Sequence, residues 1–313
     1  MTSNSLRSIP HIAGHNTNLT EGTRPGSILF AHFAKRVGDG DHRCTLWTRA
    51  LQESARNPKR ETTVESHPSK KRRVGHLARL RSNSHAGTVG RMDQSPVIPA
   101  QVPYWDSVAG EKRFAHPLRL ARLTRHICPR ARILDFGCGY GRTLAELVCA
   151  GYENVVGVDF SFRMLKCCRS QLQAVRLVQN YGQTIPLQNH SVDLVLLFAV
   201  LTCIPRNKDQ RDLLREIRRV LSPGGLLYIS DLLLNHDQRN LERYDRYADE
   251  YGTYGIFELP DGVIVRHHQK KWIEDLTASF GPIEFESFEV TTMNSNKSAA
   301  FQYLGRAFPH QSH

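Results

Sequence analysis

The sequence predicts an α/β protein built on a doubly wound, seven-stranded sheet. Three observations lead there. Short apolar runs alternate with helical segments five times between residues 131 and 231. The links between them are short, as parallel strands with helices on both faces require. Two further runs near the C-terminus close on a polar turn and read as a hairpin.

Pro103-Tyr104-Trp105-Asp106 opens the part expected to be ordered. Residues 107–128 carry a helical pattern with Phe114, Leu118, Ala121, Leu123 and Ile127 inward, split at His116-Pro117 because proline disfavours a helical residue before it. Residues 131–136 form the first strand and run straight into a turn with glycines at 137, 139 and 141. Thr143 to Cys149 reads as helix, with Leu144, Leu147 and Val148 on one face and Gly151 to stop it.

The second strand is Asn154 to Asp159, and Ser161 is placed to cap a helix through Leu172 with Phe162, Leu165 and Cys168 inward. Val175 to Gln179 is the third strand. Val192 to Ala199 is the fourth, apolar enough to be buried on both faces. A helix over 208–221 presents Leu213, Leu214, Ile217, Val220 and Leu221, and Ser222-Pro223-Gly224-Gly225 turns sharply into a fifth strand, 226–231. Asp261-Gly262 between two apolar runs predicts a hairpin, and Lys271 to Phe280 a helix. Glu284 to Thr291 and Ser298 to Leu304 are the final strands.

Hydrophobic residues make up 40% of the 313 positions and charged residues 23%, values that exclude a collagen, a wholly disordered chain and a membrane bundle. The longest apolar run, Leu194 to Leu201, has eight residues and falls far short of the roughly 20 needed to span a bilayer. No membrane association is expected. Seven cysteines, without a CxxC pair or a leader-like N-terminus, imply a reducing, intracellular and cytoplasmic setting.

Charge is unevenly spread. Residues 1–91 hold 16 of the 42 Lys+Arg but only 6 of the 30 Asp+Glu, so the remainder is nearly neutral. The sequence divides into a basic extension, 1–99, expected to be disordered, and a domain, 100–309. Lys59-Arg60 and Lys70-Lys71-Arg72-Arg73 are spaced like a bipartite nuclear-import signal. The same cluster suits nucleic acid, an anionic surface or a solvated tail, and a start at Met92 would remove it altogether.

In open α/β sheets, ligands sit beyond the carboxyl ends of the strands where the strand order reverses. The glycine turn stands at such an end, with Asp135 just before it and Asp159 ending the next strand. A carboxylate there can accept both hydroxyls of a ribose diol. The GxGxG spacing differs from the GxGxxG of dinucleotide binders.

The segment Ile133-Leu134-Asp135-Phe136-Gly137-Cys138-Gly139-Tyr140-Gly141 resembles the first motif of class I S-adenosylmethionine-dependent methyltransferases. Val156-Gly157-Val158-Asp159, with Ser161 and Met164, resembles the second. Ile185-Pro186-Leu187 and the following Ser191 to Val195, then Glu216 to Gly225, are similar to the segments around strands four and five. The ordered set covers about residues 130–232.

The resemblance implies a Rossmann-like sheet whose last strand inserts antiparallel, and S-adenosyl-L-methionine as methyl donor. It places the donor's methionine part along Phe136, Gly137, Cys138, Gly139 and Gly141, with Asp135 near its amino group. Asp159 would hold the ribose hydroxyls and Phe160 would cover the adenine. Gly182 and Gln183 would flank the adenine, with Ala199 and Val200 following strand four. Many relatives carry an Asp in the adenine loop, where this chain has Asn180, Tyr181, Gly182 and Gln183.

The acceptor is expected to be a small molecule, because the domain shows no basic stripe; RNA and protein acceptors stay open through the basic tail. Residues 236–266 read as an insertion after strand five and a substrate lid. His267 and His268 are the candidate general bases. Tyr104, His116, Tyr251, Tyr254 and Arg266 are candidate substrate contacts, although Arg266 is better matched to Glu258 across the hairpin. At least two of Tyr244, Tyr247, Tyr251 and Tyr254 are expected in the core. No metal site is expected. A nicotinamide-dependent NAD(P) oxidoreductase and an inactive S-adenosylmethionine-binding protein are the alternatives.

Overall fold

The computed structural model describes residues 97–182 and 184–308, with side chains from residue 101 onward. The expectations for the basic extension, including the cluster at 59–73, lie outside the described residues.

Seven strands form one sheet in the order β3-β2-β1-β4-β5-β9-β8. They are β1 (Ile133–Phe136), β2 (Val155–Asp159), β3 (Arg176–Gln179), β4 (Val192–Phe198), β5 (Leu221–Leu232), β8 (Phe280–Thr291) and β9 (Lys297–Ala307). The first five run parallel, and β9 inserts antiparallel between β5 and β8. The smaller hairpin β6 (Ile256–Glu258) and β7 (Ile264–Arg266) stands apart from the sheet. The helices are α1 (Val97–Ser107), α2 (Leu120–Leu123), α3 (Arg142–Cys149), α4 (Phe162–Gln171), α5 (Asn207–Val220), α6 (Gln238–Tyr251) and α7 (Lys270–Leu276).

β1 and β4 are adjacent, with Ile133 opposite Leu194 and Phe136 opposite Leu197. Leu194 to Leu197 are wholly buried, which explains the unbroken apolar run of β4. From β1 the chain proceeds outward to β2 and β3, then returns across β1 to β4 and β5. The loops after β1 and β4 therefore diverge and open a crevice between them. Below it, the core packs Leu213, Leu214, Ile217 and Val220 of α5 against the sheet.

Local chemistry sets the helix ends. Ser161 Oγ accepts the Met164 N–H at the start of α4, and Asp237 accepts the Asn240 N–H at the start of α6. Gly141, with φ of 86°, begins α3 in the left-handed region.

Three helix expectations are corrected. Of residues 107–128 only Ser107, which ends α1, and Leu120–Leu123 of α2 are helical, because Gly110 adopts φ of 87° and Phe114 and His116 are drawn into tertiary contacts. Leu118 and Leu123 are buried as expected, but Ala121 is exposed. Phe162 and Val148 are also outside the core, at 56% and 40% exposure, since neighbouring positions already fill the buried face of each helix. The helix around Trp272 ends at Leu276, and Phe280 belongs to β8.

Candidate functional site

The turn after β1 is built from hydrogen bonds and glycine geometry. The N–H groups of Gly137 and Cys138 both donate to Val158 O, at 2.7 and 3.0 Å, which folds the turn over the end of β2. Gly137 has φ of 75°, and a Cβ on it would meet Val200 Cγ2 at 2.4 Å. The loops after β1 and β4 therefore touch at the switch point with no room for a side chain.

Asp159 reaches back to this turn. Its Oδ2 accepts the Gly139 N–H and its Oδ1 the Ser161 N–H, each at 2.8 Å. Burial raises its pKa to about 6 against the pull of these backbone bonds. The Phe160 N–H bonds the carboxylate as well, and part of its acceptor capacity remains. Asp135 is also buried and raised to about 6 by desolvation, with Thr143 Oγ1 donating to its Oδ2.

A cleft of about 1040 Å³ opens above these groups. Phe136, Gly137, Cys138, Gly139, Asp159, Phe160, Gly182, Ala199 and Val200 all line it. Two of the expected donor contacts do not. Asp135 lies behind the wall, where it holds Thr143, and Gly141 is occupied in starting α3 against Cys168. Gln183 lies outside the described residues. Asn180 Nδ2 donates to the carbonyls of Gly182 and Thr184, both at 2.8 Å, so it shapes the loop after β3 that the sequence left without an acid.

The segment before β1 closes the cleft from above. Asp106 Oδ1 accepts from Ser161 Oγ at 2.5 Å, and Arg142 Nη2 donates to His116 O at 2.5 Å. Phe114 stacks on Tyr140 with ring centroids 5.4 Å apart, and Trp105 lies 6.1 Å from Phe114. Phe114, Tyr140 and Met164 are wall residues that sequence reasoning missed. Tyr140 carried a signal, since a large aromatic between two turn glycines has no core of its own to enter.

A second cleft, of about 790 Å³, shares Trp105, Phe114, His116, Ala199 and Cys203 with the first. Its remaining walls come from α6, the β6–β7 hairpin and the β8–β9 turn. At the junction, Ala199 adopts φ of 55°, a conformation costing about 1–3 kcal/mol in a residue with a Cβ. Its N–H donates to Ser230 O at 2.7 Å, which holds it there. His116 Nδ1 lies 2.9 Å from Ser230 Oγ. Burial, and secondarily Arg142, lowers the His116 pKa to about 4, so the ring is neutral.

The other polar candidates are placed differently. His268 lines neither cleft. Its Nδ1 meets Leu232 O at 3.1 Å and its Nε2 meets Gln210 Nε2 at 2.9 Å. A carbonyl can only accept, so Nδ1 carries the proton and Nε2 faces the Gln210 amide, whose two hydrogens it shares with Leu201 O and Ile204 O. Both nitrogens are occupied, and the ring is a structural bridge instead of the expected base.

His267 lines the second cleft, but its Nδ1 is held by Tyr244 Oη at 2.6 Å and Asn235 Nδ2 at 3.2 Å. Asn235 Oδ1 accepts the Ala299 N–H, so its amide nitrogen is the group facing His267. Nδ1 is engaged by the Tyr244 hydroxyl, and burial holds the ring well below the ordinary imidazole range, so it is poorly suited to be the base.

Arg266 does not meet Glu258. It pairs in register with Ile256 while Glu258 pairs with Ile264, and its Nη1 donates to Pro205 O and Asn207 Oδ1. Tyr251 donates to Glu258 instead. Tyr251, Tyr254 and Arg266 line neither cleft, and Tyr244 and Tyr251 are buried packing residues. Tyr104 also lies off both walls, edge-on to Trp105 at 5.1 Å.

A family model described as a methyltransferase domain matches residues 134–229, from β1 into β5. The chain carries a class I S-adenosylmethionine-dependent methyltransferase domain. Among curated relatives, the biotin biosynthesis bifunctional protein BioHC of Cellvibrio japonicus is 36% identical over 163 residues, covering 51% of this chain and 32% of that protein. The O-methyltransferase rstn1 of Aspergillus nomiae is 28% identical over 171 residues, covering 51% of this chain and 71% of that protein. Among solved structures, an S-adenosylmethionine-dependent methyltransferase of Methanosarcina mazei covers 60% of this chain and 98% of its own at a TM-score of 0.57 and 22% identity. The structural likeness agrees on the seven-stranded fold of the methyltransferase domain. The family match sets aside the nicotinamide oxidoreductase. No described helix is long and apolar enough to cross a membrane.

Proposed function

We propose that the chain is an S-adenosyl-L-methionine-dependent methyltransferase acting on a small-molecule acceptor, with the donor in the first cleft and the acceptor in the second. The observation that carries the reading is Asp159, anchored to Gly139 and Ser161 at the wall of a cleft closed by aromatic rings.

The residues fit the donor. The remaining acceptor capacity of Asp159 suits a ribose hydroxyl. Trp105, Phe114, Tyr140 and Phe160 line the cleft, and an aromatic lining favours a sulfonium charge. The methionine part falls to the glycine turn and the adenine to Phe160 and Gly182. When bound, the donor supplies an electrophilic methyl group with a good leaving group already attached.

The protein's task is then alignment and exclusion of water. The N-terminal segment, pinned by Asp106 and Arg142, covers the cleft. His116 stands where the clefts join and can take a proton at Nε2 when Nδ1–H donates to Ser230 Oγ. The insertion 236–266, through Arg239, Arg243, Phe257, Leu259 and Val265, walls the acceptor side, in keeping with a lid.

Calorimetric titration of the full chain with S-adenosylhomocysteine, and separately with NADH, tests the donor assignment. Binding of the former alone is expected. Binding of NADH alone, or of neither to folded protein, would overturn it.

A further inference from the structure

The second cleft is cationic on one side. Arg239, Arg243 and Lys297 line it, and no Asp or Glu does so among the described residues. Lys297 is neutralised by Glu289 at 2.8 Å, and Arg239 lies 3.8 Å from Asp237. Arg243 has no ion pair among the described residues. Its guanidinium is centred 3.6 Å from the Phe257 ring, its Nη2 donates to Asn240 Oδ1, and its Nε is buried without a partner.

Stacking fixes the plane of the guanidinium, and beyond its hydrogen bonds to Asn240 Oδ1 and the Tyr244 hydroxyl its remaining donors suit a carboxylate or phosphate. Two neighbouring features strengthen the argument. Arg239 and Arg243 stand four residues apart on α6, where like charges repel unless an anion lies between them. Burial pulls the Arg243 pKa down, a penalty that a bound anion would offset. Two other arginines with an unpartnered buried Nε differ. Arg142 is paired with Glu146, and Arg266 lies off both clefts.

We infer that the second cleft takes an acceptor with an anionic head group, carboxylate or phosphate, held by the Arg243 guanidinium with Arg239 beside it. Phe257, Leu259 and Val265 give the body of that molecule an apolar wall. The inference rests on the proposed division into donor and acceptor clefts.

The test uses the full chain saturated with S-adenosylhomocysteine, titrated with benzoate, phenyl phosphate and neutral benzamide. At least one anion should bind, with benzamide at least tenfold weaker, and the stronger anion identifies the head group. Arg243→Gln should abolish that preference while S-adenosylhomocysteine affinity, which reports the fold and the donor cleft, stays unchanged. If the glutamine variant fails to fold, Arg243→Lys keeps the charge and loses the fork, and should weaken anion binding severalfold. Equal binding of benzamide, undiminished anion binding by the folded variants, or no binding of either anion at millimolar concentration would overturn the inference. Failure of S-adenosylhomocysteine to bind would instead strike the donor assignment, and the anion preference would then be read on the unliganded chain.

Discussion

His116 Nδ1 lies 2.9 Å from the hydroxyl of Ser230, whose backbone carbonyl also accepts the N–H of Ala199. One residue at the end of β5 thus fixes both the ring between the clefts and the strained turn after β4. The proposed function gives His116 a general-base role from this placement. His116→Asn is expected to lower turnover about 100-fold or more, with a smaller change in S-adenosylhomocysteine affinity. Single-turnover rates and calorimetry on the same preparation separate the two effects.

The pH dependence should follow the buried ring. Desolvation lowers His116 to about 4, so Nε2 stays unprotonated well below the ordinary imidazole range. With the donor already bound, so that the titration of Asp159 at about 6 does not enter, and with acceptor saturating, turnover should hold from about pH 7 to about pH 5 and fall only as the pH nears about 4. A half-maximal loss near pH 6.5 would remove His116 from the mechanism.

Asp159 carries the cofactor reading. Asp159→Ala removes an acceptor for the ribose and also frees the N–H groups of Gly139 and Ser161. Hydrogen bonds to a charged group contribute about 1.5–3 kcal/mol, so S-adenosylhomocysteine binding should weaken by roughly 10- to 100-fold. Wild-type affinity in a calorimetric titration would sink the assignment.

Gly137 and Val200 offer a test of the switch point. Gly137→Ala places a Cβ 2.4 Å from Val200 Cγ2 in a residue whose φ is 75°. A loss of about 1–3 kcal/mol in stability is expected from the backbone alone, with the clash added. Val200→Ala should recover the clash and leave the backbone cost. Thermal unfolding of the two single variants and the double variant would show this as partial rescue. Additive losses would mean that the loops part without penalty.

The sheet was legible because its signals are local. Period, turn glycines and the Ser161 cap act within a few residues, and each element from β1 to β5 follows from them. The wall from Phe136 to Gly139, with Asp159, was legible for the same reason. What escaped depends on distant parts of the chain. Phe114 and His116 looked like inward helix positions and a helix break, yet contacts with Tyr140 and Ser230, 26 and 114 residues away, decide their conformation. His267 and His268 looked alike in sequence. Both are buried, and register against β5 and α5 gives one a place on the wall of the second cleft and the other a bridge to Leu232 and Gln210.

His268 should therefore reveal itself in stability. Its Nε2 receives the Gln210 amide, and Gln210 is oriented because its Oε1 accepts Trp272 Nε1–H at 2.7 Å. Protonating Nε2 would set two donors against each other, in a site where burial and Arg266 already lower the pKa to about 3. The folded pKa lies below the unfolded value of about 6.5, so the fold favours the neutral ring. The stability gained from this preference is fully present above about pH 6.5 and is lost as the pH falls toward about 3. The loss from this group should reach about 2 kcal/mol by about pH 5. Denaturant unfolding at about pH 7 and about pH 5 should show a smaller drop for His268→Gln, which cannot titrate, than for the wild type. An equal drop in both would mean that the ring charges without disturbing the bridge.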